Sequence, residues 1–429
     1  MKILFKNAYV LTMKDGEKPF ISDVLVEDKY ISKIAENIID DEAEIIDASN
    51  TILMPGFKNA HTHSAMVFSR SSSDNLSLSD WLVNCIFPME EQFIQDDVYT
   101  MSKIAFLEYL TSGITACYDM YYFPREIARA AKDIGFKAVI LAAPPADRIT
   151  VEDIEREFVE IKNIDKDLID MRLGVHAEYT TPEERLVLIK KLCDKFNMSF
   201  STHASETENE VNGCKERHNG LTPTEYFESL GLFENGGILF HNVVLTENDI
   251  EIMKNRGIYA VTCPGSNCKL ASGISPIKTL VDRGINVCIG TDGAGSNNCL
   301  DMFKEMHLVY SLSKIKEKDA TALNAFDILK MATVNGAKAL GLEDCKYIEE
   351  GSKADIILID LLKPNMQPFN NIVSNIVYSG SKDNIKLTMI NGKVLYHDGK
   401  FNINEDLIEL YKTTQEISDR LNSTNKYKN

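Results

Sequence analysis

No stretch of the 429 residues is long and apolar enough to span a bilayer, and residues 1–7 are too short an apolar run for a signal peptide. Cysteine gives no disulfide framework. The nine residues (Cys85, Cys117, Cys193, Cys214, Cys263, Cys268, Cys288, Cys299, Cys345) are odd in number and contain no C-x-x-C pair. That is reduced-thiol usage, so a cytoplasmic location is expected. Basic residues are in deficit, 46 Lys plus Arg against 64 Asp plus Glu, a net charge of −18. This argues against nucleic acid or an anionic membrane surface as partner, and leaves a small ligand in a local pocket. There is no low-complexity tract and no repeat of fixed period. Neither G-x-G-x-x-G nor G-x-x-x-x-G-K-[ST] follows an apolar run, so a doubly wound nucleotide-binding sheet is the weaker of two fold readings.

What is present reads as a large soluble α/β globule. Residues 1–55 alternate or cluster apolar residues between turn formers, as in the first part of a small β-sandwich. Residues 56–345 alternate strand-like runs with longer helical patterns such as 102–110, 182–196 and 247–255. Eight runs are expected, at 51–54, 113–118, 136–141, 172–176, 198–203, 237–241, 257–262 and 285–290. Such βα units predict a (β/α)8 TIM-type barrel, with its active site at the C-terminal strand ends. Residues 346–400 return to β texture, with an Asn391-Gly392 hairpin turn, and complete the sandwich. Residues 401–429 read as a C-terminal helix, over 405–421, and a polar tail.

The chemistry centres on Pro55-Gly56-Phe57-Lys58-Asn59-Ala60-His61-Thr62-His63. Residues two apart on a strand share a face, so His61 and His63 offer two imidazoles side by side. Other strand ends supply the remaining groups: His176, His203, His241 and Thr291-Asp292. His61, His63, His203 and Asp292 form a four-ligand set that suits one divalent metal, Zn²⁺ foremost and Fe²⁺ second. Glu206, three residues after His203, can shuttle a proton over the metal. His241 can orient or deprotonate a water, and Asp292 can accept a proton as well as bind metal. His218 reads as an exposed loop residue, His307 as a helix residue and His397 as a hairpin residue, so none of these is placed in the site.

The segments Pro55-Gly56-Phe57-x-Asn59-x-His61-Thr62-His63, His203-x-x-Glu206-Thr207, His241-x-Val243-x-Leu245-Thr246 and Gly290-Thr291-Asp292-Gly293 resemble the amidohydrolase superfamily. The likeness extends to Gly351-Ser352-Lys353-Ala354-Asp355 and Asn391-Gly392-Lys393-Val394. Within it, the chain is most similar to the 5-methylthioadenosine/S-adenosylhomocysteine deaminase branch, which also contains chlorohydrolases and guanine deaminases. The resemblance implies hydrolytic deamination of an adenine nucleoside: 5-methylthioadenosine, S-adenosylhomocysteine, 5-deoxyadenosine or adenosine. Activated water would attack the amino-bearing carbon, Glu206 would protonate a ring nitrogen, and His241 and Asp292 would take the water's proton. Strand 4 ends in His176 rather than the lysine of binuclear relatives, which implies one metal. The resemblance also places Trp81, the only tryptophan, against the base or thioether, Glu90 on the ribose hydroxyls and His176 on the nucleoside. By analogy it suggests a homo-oligomer.

Three departures qualify the substrate. Arg70-Ser71-Ser72-Ser73-Asp74-Asn75 stands where relatives show Arg-Gly and paired aspartates. After strand 3 only Arg148 is available to meet an amino-acid carboxylate, so a shorter nucleoside is at least as well suited. Strand 7 ends in Cys263-Pro264-Gly265-Ser266-Asn267, where relatives commonly carry an asparagine before the proline. Two other readings stand beside the deaminase: another hydrolysis on this scaffold, such as guanine deamination or triazine-type dechlorination, and a catalytically silent metal- or purine-binding protein.

Overall fold

The computed structural model describes residues 1–142, 150–423 and 425. Five N-terminal strands come first: β1 (Lys2–Val10), β2 (Phe20–Glu27), β3 (Tyr30–Ala35), β4 (Glu44–Asp47) and β5 (Thr51–Pro55). Eight follow in the middle of the chain: β6 (Phe57–Thr62), β7 (Ile114–Tyr121), β8 (Lys137–Ala142), β9 (Ile169–Gly174), β10 (Phe200–Ala204), β11 (Gly237–His241), β12 (Tyr259–Thr262) and β13 (Val287–Ile289). The last four are β14 (Ile356–Asp360), β15 (Ile385–Ile390), β16 (Lys393–His397) and β17 (Lys400–Phe401).

β6 to β13 lie in chain order, neighbouring strands pair in parallel, and a helix separates each from the next. This is the (β/α)8 barrel. Alternate residues split between two environments, as the strand period requires. Ala116, Tyr118, Val139, Leu141, Ile238, Phe240 and Cys288 fill the interior, while Cys117, Ile140, Leu239 and Val287 pack outward. The seam between β6 and β13 is tied by polar groups. The Asn59 side chain accepts from Thr291 N–H (2.9 Å) and donates to Thr291 Oγ1 (2.7 Å), and Asp292 N–H donates to the His61 carbonyl (3.0 Å). Gly290 admits this approach, since a Cβ there would lie 2.8 Å from the His61 backbone.

The terminal segments form one nine-stranded sheet in the order β17-β16-β15-β14-β5-β1-β2-β3, with β4 also paired to β1. The expected sandwich is therefore a single continuous sheet that encloses its own core of Ile3, Phe5, Val24, Leu53, Leu358 and Leu387. Ile52, Met54, Ile357 and Ile359 belong instead to the large core shared with the barrel. Both faces of β5 and β14 are thus buried, which is why they read as unbroken apolar runs.

This corrects one expectation. Residues 51–54 do not start the barrel. They pair with β1 at Tyr9 and Val10 and along the whole of β14. The first barrel strand is Phe57–Thr62, disguised by Lys58, Asn59 and His61. All three are buried, and Lys58 and Asn59 are bonded to partners inside the fold.

A buried charge cluster joins the two sheets. Lys58 Nζ bonds Thr115 Oγ1 (2.6 Å) and the Gly56 carbonyl (3.1 Å) and lies 3.9 Å from Asp355, while Lys137 Nζ is 2.6 Å from Asp355 Oδ2. Asp355 Oδ1 accepts from Asn391 N–H (2.9 Å), which ties together two segments that stand far apart in the chain. Gly392 follows at φ +74°, where a Cβ would meet the Asp28 carbonyl at 1.8 Å.

The C-terminal helix, Leu407–Asn422, packs on the segment after β6. Ser418 Oγ and Asn422 Nδ2 both donate to the Phe68 carbonyl, and Arg420 bonds Asp97 (2.5 Å). It steadies the run that leads into the loop over the barrel mouth.

Asp355→Ala is expected to destabilise the protein by about 3–5 kcal/mol, because it strands two buried lysines. Chemical denaturation measures this. Burial pushes the Asp355 carboxyl up, but Lys137 and Lys58 outweigh it and hold it below its ordinary 3.8. The folded pKa lies below the unfolded one, so the contribution is full above that ordinary value and fades as pH falls through the folded one.

Candidate metal centre and pocket

The C-terminal ends of the barrel strands bring the histidines together. His61, His203, His241 and Asp292 each offer a ligand atom, and these atoms all lie within 4.8 Å of one another. His203 Nε2 is 3.0 Å from His61 Nε2. Asp292 Oδ1 lies 3.1 Å from His63 Nε2 and 3.4 Å from His61 Nε2, with no aligned hydrogen-bond donor among the described residues. β6 ends at Thr62 and its pairing with β7 slips between Asn59 and Thr62, so His63 stands just past the strand. Its ring meets that of His61 edge to face at 4.8 Å.

Outer hydrogen bonds set which ring nitrogens face inward. His63 Nδ1–H donates to the Met120 carbonyl (2.5 Å) and His203 Nδ1–H to the His176 carbonyl (2.7 Å). A carbonyl only accepts, so in each neutral ring Nε2 carries the lone pair. His241 Nδ1–H donates to Asn267 Oδ1 (2.8 Å). Burial drives the His61 pKa down to about 3 against the pull of Asp292, and takes His203 well below its usual range. Burial pushes Asp292 up, but His61 and His63 outweigh it and keep the carboxyl well below its ordinary value. For His63 the Asp292 carboxylate outweighs burial and raises the pKa, and a cation between the two would displace that proton. Inward lone pairs, a carboxylate oxygen without an aligned donor and almost no solvent access fit a divalent cation.

The backbone is strained around this point. His241 (φ +74°), Asp292 (φ +57°) and Ser205 (φ +56°) all occupy the left-handed region, which costs non-glycine residues energy. They end strands that must turn their side chains into the barrel mouth.

Glu206 is placed by the helix that follows it. Thr207 caps Glu208–Arg217 as a Thr-x-x-Glu box, and Glu210 accepts from the Ser205 (2.9 Å) and Glu206 (2.6 Å) N–H groups. The Glu206 carboxylate then sits 3.8 Å from His241 Nε2, with Ser272 Oγ donating to it (3.1 Å). Burial raises the Glu206 pKa, with His241 opposing.

One cavity connects these groups to the substrate residues named from the sequence. Trp81, Glu90, His176, Glu206, His241 and Asp292 all line it. Its roof, residues 78–90, is three short helical pieces whose middle, Leu82–Ile86, is a wide π turn. The roof puts Leu78, Leu82, Ile86 and Phe87 on the cavity beside the buried Trp81, whose Nε1 has no hydrogen-bond partner among the described residues. Glu90 accepts from Tyr121 (2.5 Å) on one oxygen and Tyr122 (2.8 Å) on the other. His176 sets its ring 4.7 Å from that of His203, and its carbonyl also orients that ring. Arg148 lies outside the described residues.

Several contributors were not legible. Tyr121 and Tyr122 lie beyond residue 118, where the run of apolar residues suggested the strand would stop. Ser266 and Asn267 sit in the Cys263-to-Asn267 stretch, to which no role attached. Ser266 Oγ and Ser296 Oγ each donate to Asp292 Oδ2 at 2.7 Å, and Asn267 fixes His241. His218 is not an exposed loop residue. It is partly buried, stacks on Tyr226 at 3.5 Å and donates to Glu178 (2.7 Å). His307 and His397 stay outside the cavity, as expected.

Comparison with known proteins agrees with this layout. Residues 52–395 match the amidohydrolase family. The chain belongs to that family. A curated relative from Thermococcus sibiricus, a 5-methylthioadenosine/S-adenosylhomocysteine deaminase, is 38% identical over 92% of this chain and 94% of its own. A 5'-deoxyadenosine deaminase from Methanothermobacter thermautotrophicus is 36% identical over 89% of this chain and 91% of its own. Among solved structures, an adenosine deaminase from Xanthomonas campestris with bound zinc superposes with a TM-score of 0.92 at 31% identity, covering 98% of both chains. In this amidohydrolase no helix among the described residues is long and apolar enough to cross a membrane.

Asp292→Ala is expected to hold less than about a tenth of the wild-type metal after dialysis. Elemental analysis per chain measures it, with circular dichroism as the check on folding.

Proposed function

We propose that this amidohydrolase is a metal-dependent deaminase of an adenine nucleoside, releasing ammonia and the inosine analogue. The observation that carries this reading is Glu206, a buried carboxylate held over the metal-ligating cluster and facing His241 in the cavity that Glu90 and Trp81 also line. The names of the two curated relatives and of the zinc-bound structural relative support the same class of reaction.

The resident ion of this reading is one zinc, held by His61, His63, His203 and Asp292. Three imidazoles and a carboxylate suit that metal. When bound, a divalent metal acts as a Lewis acid and brings the pKa of a water towards neutrality. The chain's own groups do the rest. Burial favours the protonated form of Glu206, so this carboxyl delivers a proton to a ring nitrogen as the amino-bearing carbon becomes tetrahedral. The Nδ1–H bond to Asn267 leaves His241 Nε2 facing the cavity as a proton acceptor. Burial alone would lower the His241 pKa, and the Glu206 and Asp292 carboxylates raise it, as suits a group that takes a proton from water. Asp292 shares that role through Oδ1. Glu90, fixed by two tyrosines, accepts from ribose hydroxyls, and Trp81 and His176 bound the base.

The far end of the substrate is read from the roof. Leu78, Leu82, Ile86, Phe87 and Leu270 make it apolar, and no lysine or arginine lines the cavity among the described residues. An uncharged 5′ group such as methylthio or hydrogen matches this wall better than an amino-acid tail. This reading divides the chain into a barrel over 56–345 and a terminal sheet built from 1–55 and 346–400, with the helix and tail of 401–429 packed outside.

Ammonia release from 5-methylthioadenosine, 5-deoxyadenosine, adenosine, S-adenosylhomocysteine and guanine, with chloride release from a chlorotriazine, tests both parts. Turnover is expected for the adenine nucleosides, with the highest kcat/KM for those with an uncharged 5′ end. Glu206→Gln should lower kcat by about 10²–10⁴-fold with metal content unchanged. Activity confined to guanine or the triazine would replace the proposed substrate. Metal binding without turnover of any compound would favour a binding protein.

A further inference from the structure

Asp292 depends on two serines carried on adjacent short helices, which are tied at one end where Lys269 Nζ donates to the Gly295 carbonyl (2.8 Å). Ser266 lies in the helix Pro264–Lys269 and Ser296 in Ala294–Asn297, and each hydroxyl is 2.7 Å from Asp292 Oδ2. A buried side chain from a third helix touches both of them at the other end. Glu305, on the helix Met302–Glu317, is 0% exposed. Its Oε2 accepts from Gly265 N–H (2.8 Å) and its Oε1 from Asn297 Nδ2 (2.8 Å). The same Asn297 amide donates to the Thr291 carbonyl (2.6 Å), one residue before Asp292.

The chemistry of this contact is specific. Both partners are donors, so the group between them must accept twice. A carboxylate does so, whereas a glutamine would have to turn its own NH2 towards one of the donors. A glycine at 265 lets it approach, since a Cβ there would lie 2.5 Å from Glu305 Oε1 and 2.7 Å from Asn297 Nδ2. No lysine or arginine forms an ion pair with Glu305 among the described residues, so its burial is costly to the fold. A costly buried carboxylate two steps behind a metal-facing one calls for a purpose beyond packing.

We propose that Glu305 is a positioning residue for the metal centre. It locks the two short helices so that both serine hydroxyls stay on Asp292 Oδ2, and Oδ1 is thereby aimed at the Nε2 atoms of His61 and His63. The inference rests on the metal-centre reading and is independent of which substrate is used.

Cobalt(II) reports on it without catalysis. Full-length protein is stripped, reloaded with cobalt, and followed by its visible absorption and by the rate of metal loss to a chelator. Glu305→Gln is expected to change the cobalt spectrum and release metal about tenfold faster or more. The Ser266→Ala/Ser296→Ala variant should do the same. The triple variant should be no worse than the serine pair, because all three act through one carboxylate. Gly265→Ala, which forces Glu305 away, is the second route and stands in if Glu305→Gln does not fold. Wild-type metal retention in Glu305→Gln or Gly265→Ala overturns the proposal. So do effects of Glu305 and the serines that multiply, or a loss confined to the stability of the metal-free protein. A wild-type protein that takes up no cobalt overturns the metal-centre reading itself, a result distinct from the others.

Discussion

The seam between the first and last barrel strands is the constraint on which the site depends. β6 carries His61 and leads directly to His63, and Asp292 follows β13 two positions on from Gly290. These residues stand more than two hundred positions apart in the chain. They meet because the Asn59 side chain bonds Thr291 twice and the Asp292 amide bonds the His61 carbonyl. Each of those groups is buried, so leaving any of them unpaired would carry a desolvation cost. The barrel closes with the carboxylate facing the two histidines because that closure satisfies all of these groups.

From that seam outward, the site is organised by hydrogen bonds that point away from the cavity. Backbone carbonyls of Met120 and His176 take the Nδ1 protons of His63 and His203, and Asn267 takes that of His241. Two serines occupy the outer oxygen of Asp292. The inner atoms are what remains: lone pairs and a negative charge in a nearly dry space. The positive φ angles of Ser205, His241 and Asp292 show that the backbone bends at some cost to present them. Burial then separates the two carboxylates. Asp292, beside imidazoles, is held ionised, and Glu206, with less compensation, is pushed towards protonation. Opposite demands on two acids in one cavity are what acid–base chemistry at neutral pH requires.

The sequence was legible where chemistry lies at the end of a regular element. His203-x-x-Glu206 and Thr207-x-x-Glu210 overlap, so the strand end, the acid and the cap of the next helix can all be read locally. It was misleading where burial on two faces imitates a different element. Residues 51–54 are apolar throughout, yet they belong to the terminal sheet, because one face meets that sheet's core and the other the barrel. The true first barrel strand is hidden by Lys58, Asn59 and His61, whose polarity is matched only by partners far away in the chain. The tyrosines on Glu90 and the serines on Asp292 were silent for the same reason. A hydroxyl has no signature until its partner is known.

The sequence alone determined which groups can take part: the histidines and Asp292 at strand ends, the carboxylate of Glu206 after β10, and the alternation of strand and helix that builds a barrel. Those follow from local periodicity and side-chain chemistry. Tertiary structure decided which nitrogen of each ring faces inward, which oxygen of Asp292 is left for a cation, and how two lysines share Asp355 between the barrel and the terminal sheet. Hydrogen-bond direction and desolvation depend on neighbours brought from distant parts of the chain, and only the closed fold supplies them.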